Sequence, residues 1–305
     1  MKIATFGMRR PFHPVLMIPV LRHPAMKYLL AAFLLLCAIG VHAQTTTLIK
    51  TPAQLSDNDD PSKGTSTSTG TTLFCTDQSA FRLTSSLTDP TATGTPVPYT
   101  SWKWEEIDEN GTPGPLPATA VPDKEKLNVA SATPGWHTYQ VTAATGVSEC
   151  PADPVIFTVY VLPNLTIKAD VDPANNPDLT YCAANGAPTG PKAINLKSTV
   201  TFTIPPRKIA GMKDYAVSDF ELKYVWSKEE VGVPASKTDV GTGADYTIVE
   251  PAVTTAGVEK KYNYSVKVVY TVKSCGDYTA IAQSGGQNAV ITVTPKPGKP
   301  VITIQ

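Results

Sequence analysis

Histidine and arginine are nearly missing from the body of this 305-residue chain. Three of its four histidines, His13, His23 and His42, lie in the first 43 residues, and only His137 stands beyond them. Arginine is reduced in the same way to Arg82 and Arg207. One histidine excludes the usual His-rich zinc sites and leaves a single candidate for any Ser–His or Cys–His pairing. The Gly-x-Ser-x-Gly context of a hydrolase serine is missing as well. Scarce arginine argues against phosphate and nucleic-acid binding. There is no Cys-x-x-Cys pair to suggest redox chemistry or zinc. No stretch keeps a helical period, and no apolar run after residue 43 is long enough to span a membrane.

The one long apolar run, Tyr28 to Val41, follows Lys27 and ends in the small-x-small site Val41-His42-Ala43. It reads as a secretory signal peptide over 1–43, cleaved after Ala43. Met26-Lys27 would open an ordinary signal peptide by itself, so Met1 and Met26 are alternative starts. Cys37 belongs to the leader, since Leu36 before it is too large for a lipoprotein signal. Lysine plus arginine and aspartate plus glutamate each number 26; removing 1–43 takes five basic residues and no acidic one, leaving a net charge of −5. Four cysteines remain, Cys75, Cys150, Cys182 and Cys275. An even number in an exported chain predicts two disulfides in an oxidising compartment, outside the cell or in the periplasm.

What the chain does contain is alternation. Tyr262, Tyr264, Val266, Val268, Tyr270 and Val272 occupy every second position of one stretch, with mostly polar residues between them. That pattern predicts a strand with a core on one face and water on the other. The stretch belongs to a repeat, Cys…Trp…Tyr…Cys. Tyr139 precedes Cys150 by 11 residues and Tyr264 precedes Cys275 by 11; Trp104 and Trp226 stand upstream of the two tyrosines. Of the three possible cysteine pairings, the repeat favours Cys75–Cys150 and Cys182–Cys275, one per unit. Trp104 and Trp226 are expected to be the core tryptophans. Short strands separated by Gly, Pro and Asn turns predict an all-β chain of two tandem antiparallel β-sandwiches, 73–163 and 164–295. A flexible linker, 44–72, precedes them and a Pro-rich tail, 296–305, follows.

The run Cys75…Ser79…Leu83, Trp104, Pro134-Gly135…Tyr139…Val141, Cys150 and Val159…Val161…Pro163 resembles the immunoglobulin-like or PKD-like modules of Gram-negative surface proteins. The second unit follows it more loosely and lacks the Pro-Gly; neither carries the Trp-Asp-Phe-Gly-Asp-Gly signature of true PKD domains. The resemblance implies tandem sandwiches serving as spacers or adhesive surfaces, secreted or at the cell surface.

Candidate sites are few. Asp170, Asp172, Asn175, Asn176 and Asp178 crowd one loop, and such oxygen donors suit calcium, although Asx-turns have the same composition. Otherwise no cofactor is expected. Trp136 should face away from Tyr139 and Val141, outward, where it can stack on a sugar or anchor a protein partner. His137 reads as a rim or partly buried strand residue. The acidic pairs Glu105-Glu106 and Glu229-Glu230 read as exposed turn ends, because neighbours on a strand cannot flank one substrate. Val301, Ile302, Thr303 and Ile304 look like an opening strand with no module to join. They predict a shortened array, strand addition to another chain, or folding back onto the second unit. The expected function is a non-enzymatic structural or adhesive surface protein, with a glycan-binding accessory module as the alternative.

Overall fold

The computed structural model describes residues 48–55, 72–90, 93–146, 150–175, 178–252 and 257–304. The expected leader and most of the expected linker lie outside these residues. Nearly all regular structure is β, as the alternation requires.

The first sandwich is built from β1 (Leu73–Cys75), β2 (Phe81–Thr84), β3 (Ser101–Ile107), β4 (Pro113–Gly114), β5 (Ala120–Asp123), β6 (Lys126–Val129), β7 (Gly135–Ala144) and β8 (Val155–Leu162). One sheet has the order β1-β8-β7-β3-β4 and the other β2-β6-β5. β1 runs parallel to β8, with Cys75 opposite Leu162. Every other strand pair of the two sheets among the described residues is antiparallel. This strand order is that of an immunoglobulin-like sandwich.

The second sandwich comprises β9 (Leu165–Val171), β10 (Thr180–Cys182), β11 (Asn195–Phe202), β12 (Leu222–Glu230), β13 (Val233–Thr242), β14 (Asp245–Thr247), β15 (Lys260–Tyr270), β16 (Tyr278–Ile281), β17 (Gln283–Ser284), β18 (Gln287–Asn288) and β19 (Val290–Thr294). Its sheets are β10-β19-β15-β12-β13, with β16 also on β15, and β14-β11-β9-β17-β18. β16 and β19 share β15 as partner, along Ser265 to Val268 and Lys260 to Asn263 respectively. They are one edge interrupted by an excursion. Buried Ala282 and Ala289 close its neck through a 2.8 Å backbone bond, and the β17–β18 hairpin crosses to the β9 sheet.

The two sandwiches differ at one edge. β9 covers β11 along its length, from Leu165 opposite Phe202 to Val171 opposite Leu196. β2, the corresponding strand of the first sandwich, pairs with β6 alone among the described residues. Its inward side chains Phe81 and Leu83 stay half-buried.

The tryptophans take equivalent places. Trp104 and Trp226 are buried, and each indole N–H donates to a turn carbonyl, Lys124 at 3.0 Å and Gly243 at 3.1 Å. Trp226 is fully enclosed and stacks on Tyr246. Trp226→Ala is expected to cost about 3–5 kcal/mol, read as a loss of urea midpoint. A midpoint within error of wild type would contradict its place in the core.

Candidate functional site

The chemistry-bearing residues gather where the first sandwich meets the second. The loop 203–221, between β11 and β12, lies against the start of β7. Arg207 N–H donates to Pro134 O at 2.7 Å, and Trp136 N–H donates to Arg207 O at 3.0 Å. Such an approach is open only to glycine at position 135. Its φ is +109°, and a Cβ there would stand 2.1 Å from Arg207 N.

Trp136 does alternate with Tyr139, as strand parity requires, but it is not exposed. The loop covers that outer face, and Trp136 is buried with its indole N–H donating to Lys213 O at 2.8 Å. This overturns the expectation of a solvent-facing tryptophan and removes the residue on which sugar stacking rested. Ring contacts continue from Trp136 to Tyr160 (4.9 Å) and Tyr215 (5.9 Å), then to Phe220 and Tyr270. Tyr270 Oη donates to Pro163 O at 2.7 Å, and Tyr215 Oη donates to Leu55 O at 2.8 Å. Apolar burial therefore runs from one sandwich into the other.

At the rim of this cluster lie Glu106, His137 and Arg207. Glu106 is buried rather than an exposed turn end, because the inner face of β3 is closed here by Arg207 from the loop. His137 is buried too: Nε2 donates to Thr133 O at 2.8 Å, and Nδ1 lies 2.9 Å from Glu106 Oε1. Arg207 Nη1 donates to the same carboxylate oxygen. Burial alone would raise the Glu106 pKa; the hydrogen bonds from His137 and Arg207 and their charges outweigh it and hold the carboxyl below its ordinary range. A histidine held by a carboxylate and a carbonyl resembles part of a catalytic relay; here its Nδ1 also abuts Arg207 Nη1 at 3.1 Å and its Nε2 lies 3.4 Å from the Thr133 hydroxyl. Glu105, on the opposite face, is turned to Lys103 and Gln140, and Glu230 to Lys260.

The disulfide also spans the junction. Cys75 is bonded to Cys275, with Cα atoms 5.3 Å apart, while Cys150 and Cys182 are free thiols. The pairings Cys75–Cys150 and Cys182–Cys275 are thereby corrected, and the reason is strand direction. Cys75 sits beside the last residue of β8, at the end next to the second sandwich. Cys150 precedes Val155, the first residue of β8, so it belongs to the far end. Roughly 20 Å of strand separates them, whereas a disulfide needs Cα atoms within about 7 Å. In the second sandwich Cys275 follows β15 at the junction end, and Cys182 lies opposite Thr294, the last residue of β19, at the far end.

The acidic loop forms no metal cluster among the described residues. Asp170 is turned to Lys168 at 3.1 Å. Asp172 and Asp178 accept from the backbone N–H of Ala174 and Thr180, each at 2.9 Å, as Asx-turns. Asn176 and the side chain of Asn175 lie outside the described residues.

A cleft of 580 Å³ opens in the flank of the first sandwich, between β2 and the start of β8. Phe81, Leu83, Trp104, Tyr139 and Phe157 line it.

No protein-family model and no curated protein sequence matches this chain. Its structure is similar to the N-terminal eight Ig domains of Down syndrome cell adhesion molecule isoform 1.30.30, at 12% identity and TM-score 0.29, covering 73% of this chain and 25% of that one. It is similar to the D00–D0 domain of intimin at 10% identity and TM-score 0.28, covering 73% and 95%. Zebrafish RET cadherin-like domains 1 to 4 give 10% identity and TM-score 0.25, covering 69% and 49%.

Two substitutions test the junction. Gly135→Ala is expected to lose roughly 1–3 kcal/mol or more, from strain at positive φ and from the clash with Arg207; unchanged thermal stability would contradict the close approach. Glu106→Gln is expected to lose about 2 kcal/mol at pH 7. Because the folded carboxyl titrates below its unfolded value, its contribution is present above the unfolded pKa of about 4.3 and is lost as pH falls through the folded one. Urea melts of wild type and variant should therefore converge on acidification; a gap that widens would contradict the assignment.

Proposed function

We propose that the chain is a non-enzymatic structural or adhesive protein, exported by a Gram-negative bacterium and held outside the cytoplasm as a stiff pair of immunoglobulin-like modules of PKD-like type. The observation that carries this reading is the junction. Tandem modules on a bare linker would move independently, whereas here a disulfide, a shared aromatic core and a partly buried Glu106–Arg207 ion pair join them. A disulfide and a leader both belong to an oxidising compartment. Glu106, His137 and Arg207 are bonded to one another, an arrangement that suits a spacer, while the buried Tyr160 hydroxyl of the aromatic cluster has no hydrogen-bond partner among the described residues.

The disulfide has a mechanical consequence. It links positions 200 residues apart, so tension applied at residues 44 and 305 passes from Cys75 to Cys275 and spares the segment between them, loading only the flanking residues, β1 and β16 to β19 among them. Single-molecule pulling of the oxidised mature chain should show extension only from the residues outside the disulfide loop, none from the segment between Cys75 and Cys275. After reduction the trapped segment should release on the order of 600 Å, at about 3.3 Å per residue. Full-length unfolding steps under oxidising conditions would overturn the reading. Cytoplasmic retention in a Gram-negative host, with no labelling by a membrane-impermeant reagent, would overturn the export half of it.

A further inference from the structure

Each half of the internal junction is present a second time, unused. At the far end of the second sandwich, β10 lies parallel to β19 as β1 lies parallel to β8. The turns that follow also match. Thr76 N–H donates to Leu162 O at 3.2 Å and Gln78 N–H to Cys75 O at 2.9 Å; Ala183 N–H donates to Thr294 O at 2.9 Å and Asn185 N–H to Cys182 O at 3.0 Å. Cys182 thus holds the place of Cys75. At the far end of the first sandwich, Cys150 follows its core tyrosine by the same 11 residues as Cys275 follows Tyr264. Cys75 and Cys275 are bonded, whereas Cys182 and Cys150 are free, the latter exposed.

The unused halves extend beyond sulfur. Beside β2 the first sandwich has the cleft where the second has β9 beside β11. The stretch at the equivalent distance before β1, from Asn58 to Gly64, contains no apolar residue that could fill it. Meanwhile Pro300-Val-Ile-Thr-Ile304 repeats the pattern of Pro163-Asn-Leu-Thr-Ile167, which opens β9. Val301, Ile302 and Ile304 are 90%, 89% and 95% exposed and belong to no strand.

We propose that copies of this chain assemble head to tail. Val301, Ile302, Thr303 and Ile304 of one copy pair antiparallel with β2 of a second copy, as β9 pairs with β11. Ile302 and Ile304 enter the cleft against Phe81, Leu83 and Phe157, and the open edge of β2 is closed. The entry end of the cleft is lined by Ala152 and Asp153, close in sequence to Cys150. Strand entry therefore brings the second copy's Cys150 to the first copy's Cys182, in the arrangement that Cys275 and Cys75 have within the chain. Residues 295–300 are longer than the two-residue link 163–164, and six residues reach up to about 20 Å. They accommodate the same approach with slack. The bond forms by exchange with a small disulfide such as oxidised glutathione. One thiolate displaces glutathione to form a mixed disulfide, and the other then displaces the second glutathione. Two protein thiols and one glutathione disulfide become one protein disulfide and two glutathione thiols. The contact is heterologous, so each copy keeps one free end and the assembly grows as an open chain.

This adds assembly to the spacer reading, and pulling on a monomer succeeds or fails independently of it. The mature chain, residues 44–305, is incubated with a glutathione redox buffer and resolved without reductant. A ladder whose peptide map shows Cys150–Cys182 between copies is expected. Cys150→Ser and Cys182→Ser should each stay monomeric, and a mixture of the two should stop at the dimer. Ile302→Asp/Ile304→Asp should slow the ladder roughly tenfold or more, since burying the aspartates is costly, and should remove hydrogen-exchange protection gained by β2. Symmetric Cys150–Cys150 or Cys182–Cys182 links forming as fast as the mixed link would overturn the proposal. So would a glutathionylated monomer only, or a ladder indifferent to the tail substitutions.

Discussion

Everything at the junction depends on the backbone contact between Gly135 and Arg207. It lets a loop from the second sandwich lie on the first with no side chain between them. Once that contact is made, the outer face of β7 is no longer a surface. Trp136 and Tyr160 become core, and Arg207 arrives beside Glu106 with its side chain mostly covered. A buried ion pair alone is weak evidence of stability, because desolvation opposes the attraction. Here His137 and Arg207 share Glu106 Oε1 and Arg207 Nη2 donates to Ile107 O, so the cost of breaking the set falls on the junction as a whole.

Strand direction then decides the covalent chemistry. In each sandwich the strand parallel to the last one puts its cysteine at the exit end, while the cysteine after the tyrosine strand stands at the entry end. A bond within one sandwich would have to span its length. A bond between successive sandwiches needs only the exit of one to meet the entry of the next. The observed Cys75–Cys275 link is the second kind, so the repeat is a repeat of connectors as well as of cores.

This is also why the fold was more legible in the sequence than the site. A strand's alternation depends on its own residues, so β15, the all-β class and the burial of Trp104 and Trp226 could be read locally. Parity likewise put Trp136 opposite Tyr139 and separated Glu105 from Glu106. What parity cannot carry is which face a distant loop will cover. Arg207 and Tyr215 lie 71 and 79 residues beyond Trp136 in sequence, and only folding shows them to be its neighbours. The one local signal was Pro134-Gly135, which marked a turn and in fact marks a point of backbone contact. The cysteine spacing was equally consistent with bonds inside or between units, since a tandem repeat preserves the interval either way.

The most direct measurement of the junction is non-reducing peptide mapping of the purified, oxidised monomer. The expected result is a Cys75–Cys275 cross-link, with Cys150 and Cys182 both recovered as alkylated thiols. Recovery of Cys75–Cys150 together with Cys182–Cys275 would contradict it, and with it the joining of the two sandwiches into one unit.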